Sequence, residues 1–170
     1  MKRLLKWAAL FLAGLAALAA LLVIVGLTRP VTAEARASIE IRRPPEEVFD
    51  FLADLENLPK WSAGVKHVSR ISSRPRKYRV SGGAGPSTAE FLHYDRPRHY
   101  VSRIDMPRMA FSGIWDIHVE PSPGGSRVTS SAKINLKNPV LRALAIFMDP
   151  NAAEQATLAD LKKYLESAAP

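Results

Sequence analysis

From Trp7 to Leu27 the chain reads WAALFLAGLAALAALLVIVGL, with no charged or strongly polar side chain. As a helix rising 1.5 Å per residue it spans roughly 30 Å, the thickness of the bilayer hydrocarbon. Pro30 stops it. From Ala35 the period changes to two. Ala35, Ala37, Ile39 and Ile41 alternate with Arg36, Ser38, Glu40 and Arg42, which predicts a half-buried strand. The stretch RRPPEEVFDFLADLENLPKW follows, from Arg42 to Trp61. Pro44-Pro45 ends the strand and suits the first turn of a helix. Val48, Phe49, Phe51, Leu52 and Leu55 then recur at helical spacing as one apolar face. Glu46, Glu47 and Asp50 sit near the helix start, where the backbone dipole favours negative charge. Pro59 breaks the pattern, and Leu58 and Trp61 are expected to be buried.

Strand-like segments come next: Val65–Ser73, Lys77–Ser81, Thr88–Asp95, His99–Asp105, Ala110–Glu120 and Arg127–Leu136. Tight turns rich in Gly and Pro join them, which predicts an antiparallel meander. Phe111, Gly113, Trp115, Ile117 and Val119 share one face of their strand. Val128, Ser130, Ala132, Ile134 and Leu136 share one face of the next. Asn138-Pro139 opens a helical stretch, VLRALAIFM, which Asp149-Pro150 interrupts. Asn151 with Glu154 has the spacing of a capping box. Leu158, Leu161 and Leu165 then form a stripe at i, i+3 and i+7, with Lys162, Lys163 and Glu166 outside it.

Charge sharpens the N-terminal picture. The net charge is +8, and Lys2, Arg3, Lys6 and Arg29 supply half of it. Three cations precede the apolar run and one follows closely, so the positive-inside rule places the N-terminus in the cytoplasm. The rival is a cleaved signal peptide, with small residues at Val31-Thr32-Ala33 and Ala33-Glu34-Ala35. Its apolar core is longer than such peptides usually have, which favours an uncleaved anchor. Both readings export the domain. We therefore divide the chain into residues 1–33, a cytoplasmic stub, anchor and linker, and residues 34–170, a globular domain. The expected location is the cytoplasmic membrane, single-pass, with the domain on the outer or periplasmic side. No cysteine is present, which excludes disulfides, thiolate catalysis and a lipoprotein anchor. The cations Arg70, Arg74, Arg76, Lys77 and Arg79 read as a solvated hairpin, with an anionic surface or acidic ligand as the alternative. No nucleic-acid partner is expected.

The order strand, short helices, six-strand meander and long C-terminal helix resembles the START/Bet v 1-like (SRPBCC) superfamily. The likeness is to its polyketide cyclase/dehydrase and lipid-transport group in particular. The stretches that carry it are IEIRRPPEEVFDFLADLENLPKW, HYDRPRHYVSR, SGIWDIHVEPSPGGSRVTSSAKI and ATLADLKKYLES. The resemblance implies an α+β, helix-grip fold: a curved antiparallel sheet wrapped around a long C-terminal helix. The N-terminal transmembrane helix, read from the apolar run, precedes it and lies outside the resemblance. It also implies an apolar cavity between sheet and helix, for a lipid, sterol, polyketide, quinone or other hydrophobic molecule. A minority of such proteins are enzymes. The group has no universal catalytic motif, so the resemblance supplies no catalytic residue.

Specific chemistry is sparse. No Gly-x-Ser-x-Gly elbow occurs. Gly83-Ala84-Gly85 lacks a third glycine and leads into a strand, so it reads as a turn. The histidines are His67, His93, His99 and His118, with no helical His-x-x-x-His pair. His93 and His99 flank a turn and can approach across a hairpin, but no metal and no cofactor are expected. By strand parity His93 shares a face with Ala89 and Phe91, and His118 faces water with Asp116 and Glu120. Phe49, Trp61, His67, Phe91, His93, Phe111, Trp115 and Phe147 are the candidate cavity residues. His67 and His93 are the candidates for any acid/base role. VLRALAIFM reads as core, with a membrane-facing gate as the alternative. Three functions remain open. They are a membrane-tethered protein binding a hydrophobic small molecule or lipid, a cyclase/dehydrase-type enzyme, and a structural or partner-binding domain with a filled core.

Overall fold

The computed structural model of the chain describes residues 2–83 and 85–167. The apolar run is helix α1 (Lys2–Leu27). Among its described side chains, the partly or fully buried ones, Leu22, Val23, Val25 and Gly26, lie at its C-terminal end. There it packs against α4 (Pro139–Leu144). The approach is close enough that a Cβ on Gly26 would stand 1.8 Å from the Pro139 carbonyl oxygen, so only glycine fits.

Strand β1 (Thr32–Ile41) runs to the RRPP stretch. Helix α2 (Pro45–Ala53), a 3-10 turn (Leu55–Asn57) and α3 (Leu58–Trp61) then carry the chain to the opposite edge of the sheet. From that edge β2 (Val65–Ser73), β3 (Arg76–Gly82), β4 (Ser87–Asp95), β5 (His99–Met106), β6 (Phe111–Ser122) and β7 (Gly125–Leu136) walk back. The result is one seven-stranded antiparallel sheet in the order β1-β7-β6-β5-β4-β3-β2. A 3-10 turn (Ala145–Phe147) follows α4, and α5 (Pro150–Ser167) closes the chain.

The register aligns the apolar faces that the sequence alternation predicts. Val119 lies opposite Val128, Ile117 opposite Ser130, Trp115 opposite Ala132, Gly113 opposite Ile134 and Phe111 opposite Leu136. Ala35 and Ala37 continue that face, opposite Ala132 and Ser130. Because side chains alternate across a strand, this puts one apolar surface on the concave side. Leu158, Leu161 and Leu165 of α5 pack into it, joined by Val48, Phe49 and Leu52 of α2. Full burial of each large apolar side chain stabilises the fold by about 1.5–3 kcal/mol. Around Phe49 the interior is a set of touching rings. Phe49 lies 5.4 Å from Tyr94 and 5.9 Å from Tyr100, and Phe91 lies 5.1 Å from Tyr100. Trp61, partly buried, packs against the same cluster. One end of the helix grip is therefore filled.

Polar contacts fasten the helices to the sheet. The Arg42 backbone N–H donates to Glu166 Oε1 at 2.9 Å, and its guanidinium donates to Oε2 at 3.0 Å. Those two donors hold the Glu166 carboxyl below the usual carboxylate range. Arg43 Nε donates to the Leu165 carbonyl at 3.0 Å, satisfying an open acceptor at the end of α5. Asn151 Oδ1 accepts from the Arg36 N–H of β1 at 2.8 Å. The capping box expected from Asn151 and Glu154 does not form. Asp149 Oδ1 accepts from the Asn151 N–H at 2.9 Å instead, which frees Glu154 to point elsewhere. The acids of the opening stretch also find structural places. Glu46 and Glu47 occupy the exposed first turn of α2. Asp50 forms a two-pronged pair with Arg96, both bonds 2.6 Å, that joins α2 to the β4–β5 turn. Hydrogen bonding to Arg96 is the main reason the Asp50 carboxyl is held low.

Candidate functional site

The other end of the grip is open. Between the sheet and the first turns of α5 lies a cavity of about 470 Å³. Ala33 of β1, Phe111 and Trp115 of β6, and Ile134 and Leu136 of β7 form its sheet side. Ala153, Glu154 and Thr157 of α5 face them, and Leu141, Leu144, Ala145 and Met148 close it from α4 and the turn after it. A volume between about 300 and 1,000 Å³, an apolar wall and a few polar groups are the usual properties of a small-molecule site.

Glu154 is the one ionisable side chain among the described lining residues. It sits one helical turn before Leu158 and so lies on the inward face of α5. Ser130, fully buried on β7, donates to Glu154 Oε1 at 2.5 Å. The Trp115 indole N–H donates to Oε2 at 3.4 Å. The carboxylate is thus held by two donors, with remaining acceptor positions at the cavity. Nearby, burial is the main cause that raises the Tyr100 hydroxyl above its ordinary value, and the Glu154 charge adds to it. Trp115 owes its place to Gly113, which precedes it by two on the same face. A Cβ there would lie 2.6 and 2.8 Å from two atoms of the indole ring.

Of the residues expected at a cavity, Phe111 and Trp115 line this one. Phe49 and Phe91 belong to the filled aromatic end. Trp61 packs against that end, on α3. Phe147 is 85% exposed at the tip of the 3-10 turn after α4. His67 is exposed on β2. His93 is exposed too, against the parity expectation. The ladder slips between Phe91 and His93, so two β4 residues oppose one on β5. A bulge of this kind reverses the faces beyond it. His93 therefore turns out, and its ring stands 4.9 Å from that of His99. Glu154 was missed because its spacing from Asn151 suggested a cap. Its spacing from Leu158, Leu161 and Leu165, at i+4, i+7 and i+11, is the signal that marks it as inward. The one set of at least three metal-competent groups among the described residues, His99, Asp116 and His118, lies on the outer face of the sheet.

Residues 32–166 match the model of a family described as polyketide cyclase / dehydrase and lipid transport. The chain belongs to that family. Among curated proteins, two uncharacterised mycobacterial proteins are similar to it, one from Mycobacterium tuberculosis and one from Mycobacterium bovis. Each is 27% identical over 141 residues, covering 78% of this chain and 84% of theirs. Solved structures with the same fold include norcoclaurine synthase from Thalictrum flavum, crystallised with dopamine and hydroxybenzaldehyde. Its TM-score is 0.61 at 13% identity, over 86% of this chain and 93% of that one. The di-domain ARO/CYC protein BexL, from the BE-7585A biosynthetic pathway, has a TM-score of 0.63 at 16% identity. That match spans 87% of this chain and 54% of BexL. At such identities the likeness is one of fold, Bet v 1-like and helix-grip. Family and fold together make residues 32–166 a domain of the hydrophobic-ligand-binding kind.

Proposed function

We propose that this protein holds one hydrophobic small molecule or lipid in the cavity beside Trp115 and Glu154 and exchanges it with the membrane that α1 anchors. The observation that carries the reading is where the cavity opens. Leu144 and Met148 line it and are themselves exposed, and Ile146 and Phe147 beside them are exposed as well. This apolar tip adjoins α4, which packs on the end of α1. Helix α1 carries a segment, Lys6–Leu27, long and apolar enough to cross a membrane; a signal sequence near an N-terminus passes the same test. Four residues, 28–31, separate α1 from β1. A link of that length reaches at most roughly 14 Å. The cavity mouth is thereby held at the bilayer surface, where Phe147 and its neighbours bury apolar area rather than meeting water. Lys2, Arg3 and Lys6 orient the N-terminus to the cytoplasm, leaving the domain on the outer side of the cytoplasmic membrane.

The ligand is an amphiphile. Most of the wall is apolar and rewards apolar surface at about 25 cal/mol per Å². Glu154 favours a hydroxyl or amine that donates to it at the deep end. The test uses the full chain in detergent or nanodiscs. An organic extract is examined by mass spectrometry, and a fluorescent fatty acid is titrated in. Saturable binding that Ala153→Trp abolishes is expected. An extract without lipid together with no probe binding, or binding indifferent to Ala153→Trp, overturns the proposal.

A second reading, a cyclase/dehydrase-type enzyme, draws on Glu154 alone as a carboxylate poised in an apolar pocket for proton transfer. Under it, Glu154→Gln abolishes turnover of a bound polyketide-like substrate while leaving its affinity within a few-fold. A filled-core domain is the reading that the 470 Å³ cavity argues against.

A further inference from the structure

The outer face of β5 and β6 carries a group of side chains that the cavity does not use. His99 and His118 are directly opposite in the ladder. Opposed residues on adjacent strands have Cβ atoms about 5 Å apart, so their side chains meet. The two imidazoles stack with centroids 4.1 Å apart and planes 11° from parallel. Asp116, two residues before His118, projects from the same face. Its Oδ1 lies 2.9 Å from the Nε2 of His99 and 2.9 Å from the Nε2 of His118. The three ligand-capable atoms all lie within 4.8 Å of one another.

We propose that His99, Asp116 and His118 form a binding site for one divalent transition-metal ion of the zinc class. Two imidazole nitrogens and a carboxylate oxygen are the donors such ions prefer, at about 2.0–2.2 Å. Ligands of one tetrahedral ion at those bond lengths stand roughly 3.3 Å apart. The Nε2 to Oδ1 separations open by roughly 0.4 Å to reach that value, and the near-parallel rings turn about their Cβ–Cγ bonds so that both nitrogen lone pairs converge on the ion. All three side chains reach solvent, so water completes the coordination. Rigidity comes from the ladder, which fixes both histidines without a loop. His93, turned outward by the β4 bulge, stands beside His99 and extends the imidazole cluster. The site is separate from the cavity yet close to it. Asp116 faces out where its chain neighbour Trp115 faces in, so a bound ion would sit on the back of the strand that shapes the cavity wall.

The test takes the full chain in detergent, free of any affinity tag and stripped with chelator. Zinc chloride is titrated by calorimetry, and Co²⁺ is followed by its visible absorption. One ion per chain is expected. His118→Gln and Asp116→Asn should each weaken binding at least tenfold. Glu120→Gln, a carboxylate on the same face of β6, should change it less than twofold. Circular dichroism checks that each variant is folded, which these solvent-reaching positions favour. A saturating ion should raise the melting temperature of the wild type and not that of His99→Gln/His118→Gln. Absence of stoichiometric binding, or binding that survives in the double variant, means a hydrogen-bonded His–Asp–His cluster only and overturns the proposal.

Discussion

Gly113→Ala is expected to change sign with its neighbour. Glycine in a strand interior costs about 0.5–1 kcal/mol relative to alanine, so the substitution by itself should stabilise β6. Trp115 reverses that. The new methyl would meet the indole at 2.6 and 2.8 Å. Carbon atoms are at ease no closer than about 3.5 Å, so the ring must retreat by roughly 0.9 Å. It has little room, with Phe111 on one side at 6.3 Å between centroids and the Glu154 carboxylate on the other. The indole–Glu154 bond is already 3.4 Å and does not survive the shift. Overpacking of this kind costs about 1–3 kcal/mol. Less the intrinsic gain, Gly113→Ala should destabilise the wild type by up to roughly 2.5 kcal/mol, centred on about 1 kcal/mol. In a Trp115→Ala background the obstacle is gone, and the same change should stabilise by about 0.5–1 kcal/mol. The assay is urea unfolding of the full chain in detergent, followed by far-ultraviolet circular dichroism, for all four members of the cycle. Fatty-acid affinity should fall about fivefold or more in Gly113→Ala, the equivalent of about 1 kcal/mol. Equal effects in the two backgrounds would refute the idea that Gly113 exists to seat Trp115.

Leu161→Ala, in the filled end of the grip, should cost about 2–5 kcal/mol, and Leu141→Ala, at the cavity wall, roughly 1 kcal/mol; equal losses in urea unfolding would mean the two ends are packed alike. Glu166 has a lowered folded-state value, so its contribution is fully present above about pH 4.5 and is lost as pH falls through that lower value. Glu166→Gln should flatten the acid side of the stability profile; parallel acid losses in wild type and variant would contradict the Arg42 contact. Glu46→Gln with Glu47→Gln should cost about 0.3–1 kcal/mol each through the α2 dipole and leave probe binding unchanged; a loss of binding in a folded protein would give those acids a functional role.

The repeat periods and punctuation of the chain determined a good deal. Alternation at Ala35–Ile41 and Phe111–Val119 marked strands and their inner faces. Pro44-Pro45 and Asn138-Pro139 marked helix starts, and Asp149-Pro150 marked the break before α5. The leucine stripe marked the face of α5. Those are local statements, and local sterics and side-chain direction suffice for them. The bulge in β4 was invisible, because a one-residue slip leaves the composition of the strand untouched while turning His93 outward. The division of the interior was invisible as well. Phe49 and Phe111 are alike as residues, but one lies among rings from β4 and β5 and the other faces open volume beneath α4. The His99–Asp116–His118 group depends on the register of two strands, which places residues 17 and 19 positions apart side by side. Sequence by itself thus determined which elements form and which way most of them face. Only the tertiary structure decided where packing runs out and a cavity remains, and which distant polar groups converge, because both are set by contacts between elements that no local pattern records.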